Sequence, residues 1–284
     1  MVNITRKDTV IVALSDLHSG GTTALFPSRF MQFEHTNHTP TDKQKEMFAH
    51  FAHCAEIIAK QRNKKRLIVI VDGDAIDGVH HGSLQIVTQQ KTEQRDIHID
   101  LMDFFLREVK FNKNKGDKLY YVTGTEIHVN GNENIIGEDL EAEKNGELYA
   151  FDMLDIEING RRVWAAHHGT AAGKGANKGN ALRNGLKNLY FDCLNEKITP
   201  PDLYVTGHVH DPFYETYNQW SGDDIHVLHG IILPSWQQKT RFAYKVAPTA
   251  RNKIGLAHFE ITAKGDILQP KFELMKDNRN PLMV

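Results

Sequence analysis

Cysteine is nearly missing from this 284-residue chain: Cys54 and Cys193 are the two it has, both inside apolar helical patterns. A disulfide-stapled scaffold needs more, so both read as buried thiols of a reducing compartment, and a cytoplasmic location is expected. No apolar run approaches the ~20 residues of a membrane-spanning helix, so no membrane partner is expected. The Val10–Leu14 run turns polar at Ser15-Asp16, too short for the core of a signal peptide. An excess of either charge is missing as well. A net charge of −2 gives no global pull toward nucleic acid or membrane, and leaves only local basic patches to consider. Internal repeats and low-complexity segments are also missing. What remains is ordinary for a soluble globular protein, with 40% hydrophobic and 25% charged residues. The length favours a single domain over 1–284 with a β-rich C-terminal part at about 211–284. Nothing in it speaks to oligomeric state.

Histidine is plentiful, with 16 in the chain, and several fall just after apolar runs. The stretch Leu67–Val71 reads as a strand buried on both faces, and it delivers Gly73-Asp74-Ala-Ile-Asp77 to the rim of a sheet. Alone, Asp74 reads as a turn or cap residue. Thr9–Leu14 is a second such strand and exits into Asp16-Leu17-His18, whose alternation lets Asp16 and His18 face one side. By itself this D-x-H reads equally as a polar strand exit. Lys118–Thr123 ends in Gly124-Thr125-Glu126-Ile127-His128. Asn159-Gly160 joins 153–158 and 161–166 as a hairpin whose second arm ends in His167-His168-Gly169. Leu203–Thr206 exits into Gly207-His208-Val209-His210.

Helices fall between these strands. One is capped by Thr41 or Asp42 and carries Met47, Phe48, Phe51, Ala55 and Ile58 on one face. The next carries Ile97, Leu101, Phe104, Phe105 and Val109, with His98 read as structural. A third has Leu182, Leu186, Leu189, Cys193 and Leu194 along one side and ends at Pro200-Pro201. The acidic run from Glu133 to Glu147 reads as a solvated helix, or as a partly ordered one because Gly137 and Gly146 weaken it. His80 and His81 read either as a solvated loop pair or as substrate contacts. Thr170–Gly179, with Lys174 and Lys178, reads as a linker or a phosphate-facing lid. Strand-like runs at 213–217, 226–233, 255–261 and 267–274 complete the chain. Helix-interleaved strands followed by an antiparallel tail predict two mixed sheets packed together with helices outside.

The strand ends present carboxylates and imidazoles and no thiolate. Such a donor set argues against a structural zinc knot and for a hydrolytic site holding Mn, Fe, Zn, Co or Ni. There are enough donors for two ions, with Asp74 as the bridging candidate because its strand lies between the other arms.

The ordered blocks Asp16-x-His18, Gly73-Asp74-x-x-Asp77, Gly124-Thr-Glu-Ile-His128, His168-Gly169 and Gly207-His208-x-His210 resemble the calcineurin-like metallophosphoesterase superfamily. The resemblance spans about Val10 to His210. It implies an α/β fold, a four-layer αββα sandwich of two mixed β-sheets flanked by helices, with a site for two divalent metal ions. It further implies Asp16, His18, Asp74 and His210 as ligands of one ion, and Asp74, His168 and His208 of the other. His168 is preferred to His167 because the family's His directly precedes Gly. Asp77 becomes a carboxylate that orients a ligand. The implied activity is hydrolysis of a phosphomonoester or phosphodiester by attack of a metal-bridging hydroxide.

The third block departs from the family pattern. Thr125 and Glu126 stand where the family has a ligating Asn and a proton-donating His. Either Glu126 swings in as a ligand, or His128 takes over ligation or proton delivery, or the second ion binds weakly. His128 as acid or transition-state contact is the favoured reading, and G-T-x-x-H is similar to phage-type members. Two alternatives remain. Basic residues Lys239, Arg241, Lys245 and Arg251 near Trp236, Phe242 and Tyr244, together with the 173–179 loop, keep a DNA or RNA nuclease open. The altered block keeps open a catalytically inactive scaffold on the same fold.

Overall fold

The structure, a computed structural model, describes residues 6–79, 85–129, 131–169, 173, 177–240, 245 and 252–276. In chain order the elements are β1 (Thr9–Ser15), β2 (Met31–Gln32), β3 (Asn37–His38), α1 (Asp42–Arg62), β4 (Arg66–Asp72), α2 (Lys91–Glu108), β5 (Lys118–Val122), α3 (Glu126–Val129) and α4 (Asn132–Asp139). They continue with β6 (Leu154–Ile158), β7 (Arg161–Ala165), α5 (Asn180–Asn195), β8 (Leu203–Thr206), β9 (Phe213–Ser221), β10 (Asp224–Ile232), β11 (Gly255–Ile261) and β12 (Lys271–Leu274).

Two five-stranded sheets result, in the orders β12-β11-β1-β4-β5 and β6-β7-β8-β10-β9. Both are mixed. β1, β4 and β5 run parallel, while β11 pairs antiparallel with β1. In the second sheet β7, β8 and β10 are parallel, and the hairpin partner β6 and the edge strand β9 are antiparallel. The middle strand of the first sheet is therefore β1. β4 lies between it and β5, and so carries Asp74 between the exits of the other two.

Burial explains the unbroken apolar runs. Val10, Val12 and Leu14 of β1 join Val69 and Val71 of β4 in a core with Met47, Phe51 and Ile58 of α1 and Leu101 and Phe105 of α2. The alternate residues Ile11, Ala13, Ile68 and Ile70 face the second sheet, where they meet Val163, Ala165, Leu203, Val205 and Ile231. On the far side, Leu182, Leu186 and Tyr190 of α5 cover Leu228 and Ile232 of β10. The layers are therefore helix, sheet, sheet, helix. A strand with neighbours on both faces has no solvent side to make polar.

Local signals place the elements. Thr41 and Gln44 form a reciprocal capping box at the start of α1, of a kind worth about 1 kcal/mol. Asn159-Gly160 makes the β6–β7 turn with φ of 55° and 84°.

Two sequence expectations fail. Glu133 of the acidic run, in the short helix α4 that ends at Asp139, is fully buried rather than solvated. On α5, Leu194 is 48% exposed and Tyr190 takes the core-facing place. An apolar residue one position off the stripe points outward once the helix docks.

Candidate metal centre

The parallel strands β1, β4, β5, β7 and β8 all deliver their C-terminal ends to one rim, where open α/β sheets place ligands. The turns there are sharp. Of the eleven non-glycine residues with positive φ among the described residues, five are Asp16, His18, Asp74, His208 and His210. Left-handed backbone at a side-chain-bearing residue costs of order 1–3 kcal/mol and clusters at functional sites; Asp and His tolerate it better than most residues. Two glycines let the strands meet. A Cβ on Gly73 would lie 2.4 Å from the His167 ring, and one on Gly207 would lie 1.9 Å from the Ser15 hydroxyl oxygen.

Asp16 is completely buried. Its carboxylate accepts from the His208 amide at 3.0 Å and from His210 Nε2 at 2.9 Å, with His18 Nε2 at 3.8 Å. Burial opposes its ionisation, but the imidazoles of His210, His167 and His18 outweigh that and hold it well below the usual carboxylate range. Asp74 faces it and is 2% exposed. The amide of Thr125 donates to Asp74 Oδ1 at 2.6 Å and the Thr125 hydroxyl to Oδ2 at 3.2 Å. Burial again opposes charge on Asp74, and His167 and His18 bring its pKa down to about 2.

The imidazoles are oriented from behind. His18 Nδ1 lies 3.1 Å from Asp77 Oδ1. Despite its burial, the surrounding carboxylates raise His18 to about 8. His210 Nδ1 lies 3.0 Å from the Asn252 side-chain amide, which also donates to the Gln237 carbonyl. Gln237 in turn donates from its side chain to Asp77 Oδ1 at 3.2 Å. One short network thus steadies both His18 and His210. His128 donates from Nδ1 to the Asp77 carbonyl at 2.8 Å and packs edge-on against His18, ring centroids 4.8 Å apart.

His167 and His168 differ sharply. His167 is 1% exposed and donates from Nδ1 to the Asp72 carbonyl at 2.7 Å. Its Nε2 lies 3.2 Å from Asp74 Oδ2 and 3.8 Å from Asp16 Oδ1, with no hydrogen-bond partner. His168 is exposed, its Nε2 3.4 Å from the Thr125 hydroxyl, and its ring lies 4.5 Å from that of His208. Burial depresses the pKa of His208.

Four groups of donor atoms converge within 4.8 Å: Asp16 with His18 and His210; His18 with Asp74 and His128; Asp16 with Asp74 and His167; and His167 with His168 and His208. These groups include Asp16, His18, Asp74, His128, His168, His208 and His210 from the sequence reading and add His167. Asp77 stands behind His18. Thr125 is turned onto Asp74, and Glu126 is exposed on α3 in none of these groups. His80 and His81 lie outside the described residues.

Three further buried groups surround the cluster. Asp72 has neither carboxylate oxygen hydrogen-bonded, and burial pushes it up to about 7. Glu133 of α4 reaches the Ala75 amide, and burial pushes it up to about 8. His98 donates to the Ala75 carbonyl at 3.0 Å and accepts from the Tyr121 hydroxyl at 3.0 Å; burial lowers it to about 4. Asp72, Glu133, Gln237 and Asn252 carried no sequence motif. Only the oddity of a carboxylate inside Val71-Asp72-Gly73 could have signalled one of them.

Two of the pieces that kept a nuclease open have definite surroundings. Trp236 is fully buried, edge-on to Phe51 at 5.0 Å, so it offers no stacking face. Lys178 is paired with Asp211 at 2.7 Å. Lys174, Arg241, Phe242, Tyr244 and Arg251 lie outside the described residues. No described helix is long and apolar enough to cross a membrane.

No protein-family model matches this chain. No curated protein matches it either. Among solved structures it is similar to an archaeal phosphodiesterase at 11% identity and a TM-score of 0.40, covering 93% of this chain and 99% of the other. It is also similar to a 5'-nucleotidase from Candida albicans at 12% identity and a TM-score of 0.36, covering 93% of this chain and 49% of that one. A third likeness is to Vps29 from Chaetomium thermophilum at 10% identity and a TM-score of 0.33, covering 96% and 98%. Likeness at this level carries no functional weight by itself; the site has to speak through its own geometry.

Proposed function

We propose that this chain is a metal-dependent phosphoesterase of the calcineurin-like metallophosphoesterase kind, hydrolysing a phosphomonoester or phosphodiester at the strand-end rim. One observation carries the reading. Two buried carboxylates, Asp16 and Asp74, face an imidazole nitrogen, His167 Nε2, that has no hydrogen-bond partner. Such an arrangement is costly unless a cation or a proton occupies the space between the groups. The residues fit divalent metal ions: the donors are all oxygen and imidazole nitrogen, suited to Mn, Fe, Zn, Co or Ni. Asp16, His18, Asp74 and His210 would hold one ion, and Asp74, His168 and His208 the other.

Bound divalent ions would offset charge developing on the phosphoryl oxygens and make a nucleophilic water available near neutral pH. The chain's own side chains do the rest. Asp77 and Asn252 orient His18 and His210 through the nitrogens turned away from the cluster, an arrangement that raises ligand precision. His128, fixed through Nδ1 by the Asp77 carbonyl, would act as the imidazolium, giving its Nε2 proton to the leaving alkoxide and remaining as the neutral ring protonated at Nδ1. Exposed His168 and His208 mark the face where substrate enters.

Purified protein tested with bis-nitrophenyl phosphate should release nitrophenol when Mn²⁺ is added, and Asp74→Asn should abolish the release. No turnover with any of the five metals would leave the inactive scaffold standing. A screen of mononucleotides, cyclic dinucleotides and single- and double-stranded DNA assigns the substrate class.

A further inference from the structure

Thr125 holds the position at which the family pattern has an amide ligand, and its two polar groups are spent elsewhere. Its amide and hydroxyl both donate to Asp74, so it clamps that carboxylate and presents no amide oxygen. The second group of donors would then be one short. The chain has an unassigned imidazole in the right place. His167 is fixed at Nδ1, which donates to the Asp72 carbonyl, and this aims Nε2 inward at Asp16 and Asp74, where a bound cation would take the place of a proton on that atom. The atom is sealed from solvent and has no hydrogen-bond partner. A nitrogen of this ring falls within 4.8 Å of donor atoms of His168 and His208, and Nε2 itself lies 3.2 Å from Asp74 Oδ2 and 3.8 Å from Asp16 Oδ1. A backbone carbonyl that accepts from one ring nitrogen and so orients the other is the usual support of a metal-ligating histidine.

We infer that His167 supplies the ligand Thr125 cannot, so that the second ion is held by the consecutive pair His167 and His168 with His208 and Asp74. The inference rests on the metal-dependent reading above and goes beyond it, since the family resemblance assigns one histidine of the pair and gives the other no role. It also explains a division of labour in the third block: the residue that no longer binds metal keeps the bridging carboxylate in place.

The test needs no turnover. Protein labelled with ¹⁵N and loaded with ¹¹³Cd²⁺ should show scalar coupling between cadmium and Nε2 of His167, as well as couplings to His168 and His208. Because that experiment uses the unaltered chain, it stands even if substitution of the buried ring prevents folding. Calorimetric Mn²⁺ titration of His167→Ala should show the weaker of two binding events weakened a further 10–100-fold or so, as for loss of a supporting metal contact. Adding Thr125→Asn to that variant should recover part of the loss. Cadmium coupling at His168 and His208 with none at His167 overturns the inference and leaves the phosphoesterase reading intact. Failure of the wild-type chain to bind any divalent ion overturns both.

Discussion

Asp16, His18 and His210 form one donor group, and His167, His168 and His208 form another; the two are built differently. In the first, every side chain is sealed or nearly so, with exposures of 0%, 5% and 17%, and each histidine is steadied from behind by Asp77 or Asn252. In the second, only His167 is buried and anchored. His168 touches the Thr125 hydroxyl, and no hydrogen bond holds the ring of His208 among the described residues. The first group is the more rigidly held of the two, its side chains already tied to one another. The second keeps an open face. A hydrolytic centre benefits from both properties, one to fix the nucleophile's geometry and one to admit the phosphate.

The contrast can be broken most forcefully at its rigid end. Asp16→Ala removes a buried carboxylate on which His210, His18 and the His208 amide converge. It should lower Mn²⁺-dependent hydrolysis by about 10³-fold or more, as loss of several kcal/mol of charge stabilisation requires. His208→Ala, at the open end, should cost about 10–100-fold. Equal losses in steady-state assays would mean that the two groups are not functionally distinct.

A finer cut uses the supporting network. Gln237→Ala and Asn252→Ala should each weaken the tighter Mn²⁺ binding event about tenfold or more in calorimetry and leave the weaker event almost unchanged. If both events weaken together, the network supports the rim as a whole.

An effect on stability and not on activity tests the floor shared by both groups. Burial depresses His98 from 6.5 to about 4, so the unfolded chain takes up a proton in that window that the folded chain refuses. Its contribution is intact above pH 6.5 and is lost as pH falls toward 4, amounting to roughly 3 kcal/mol. Denaturant unfolding of wild type and His98→Gln between these limits should show a flatter acid limb in the variant. Superimposable limbs would rule out the neutral imidazole as the cause.

Much of this molecule was legible before folding, for identifiable reasons. Strands buried on both faces write themselves as runs such as Leu67–Val71, and Asn159-Gly160 announces a turn because few other pairs accept two positive φ values. Residues that leave a strand end together, such as Asp16 and His18, are also visible as short motifs. What was hidden is what depends on packing across the two sheets. His167 and His168 are adjacent in sequence, and only the approach of Gly73 and Gly207 shows which ring is enclosed. Gln237 and Asn252 both come from the stretch between β10 and β11, far from any motif. Glu133 looks like one more acidic surface residue until α4 closes over Ala75.

The absence of a side chain at position 207 has a consequence for how far the two sheets may part. With the Ser15 hydroxyl only 1.9 Å from where a methyl group would begin, the two sheets leave no room for a side chain at the very place where the carboxylates and imidazoles gather. Gly207 is a spacer of no thickness, and a single added carbon would act as a wedge there, prising one wall of donors from the other while leaving each wall's own chemistry untouched.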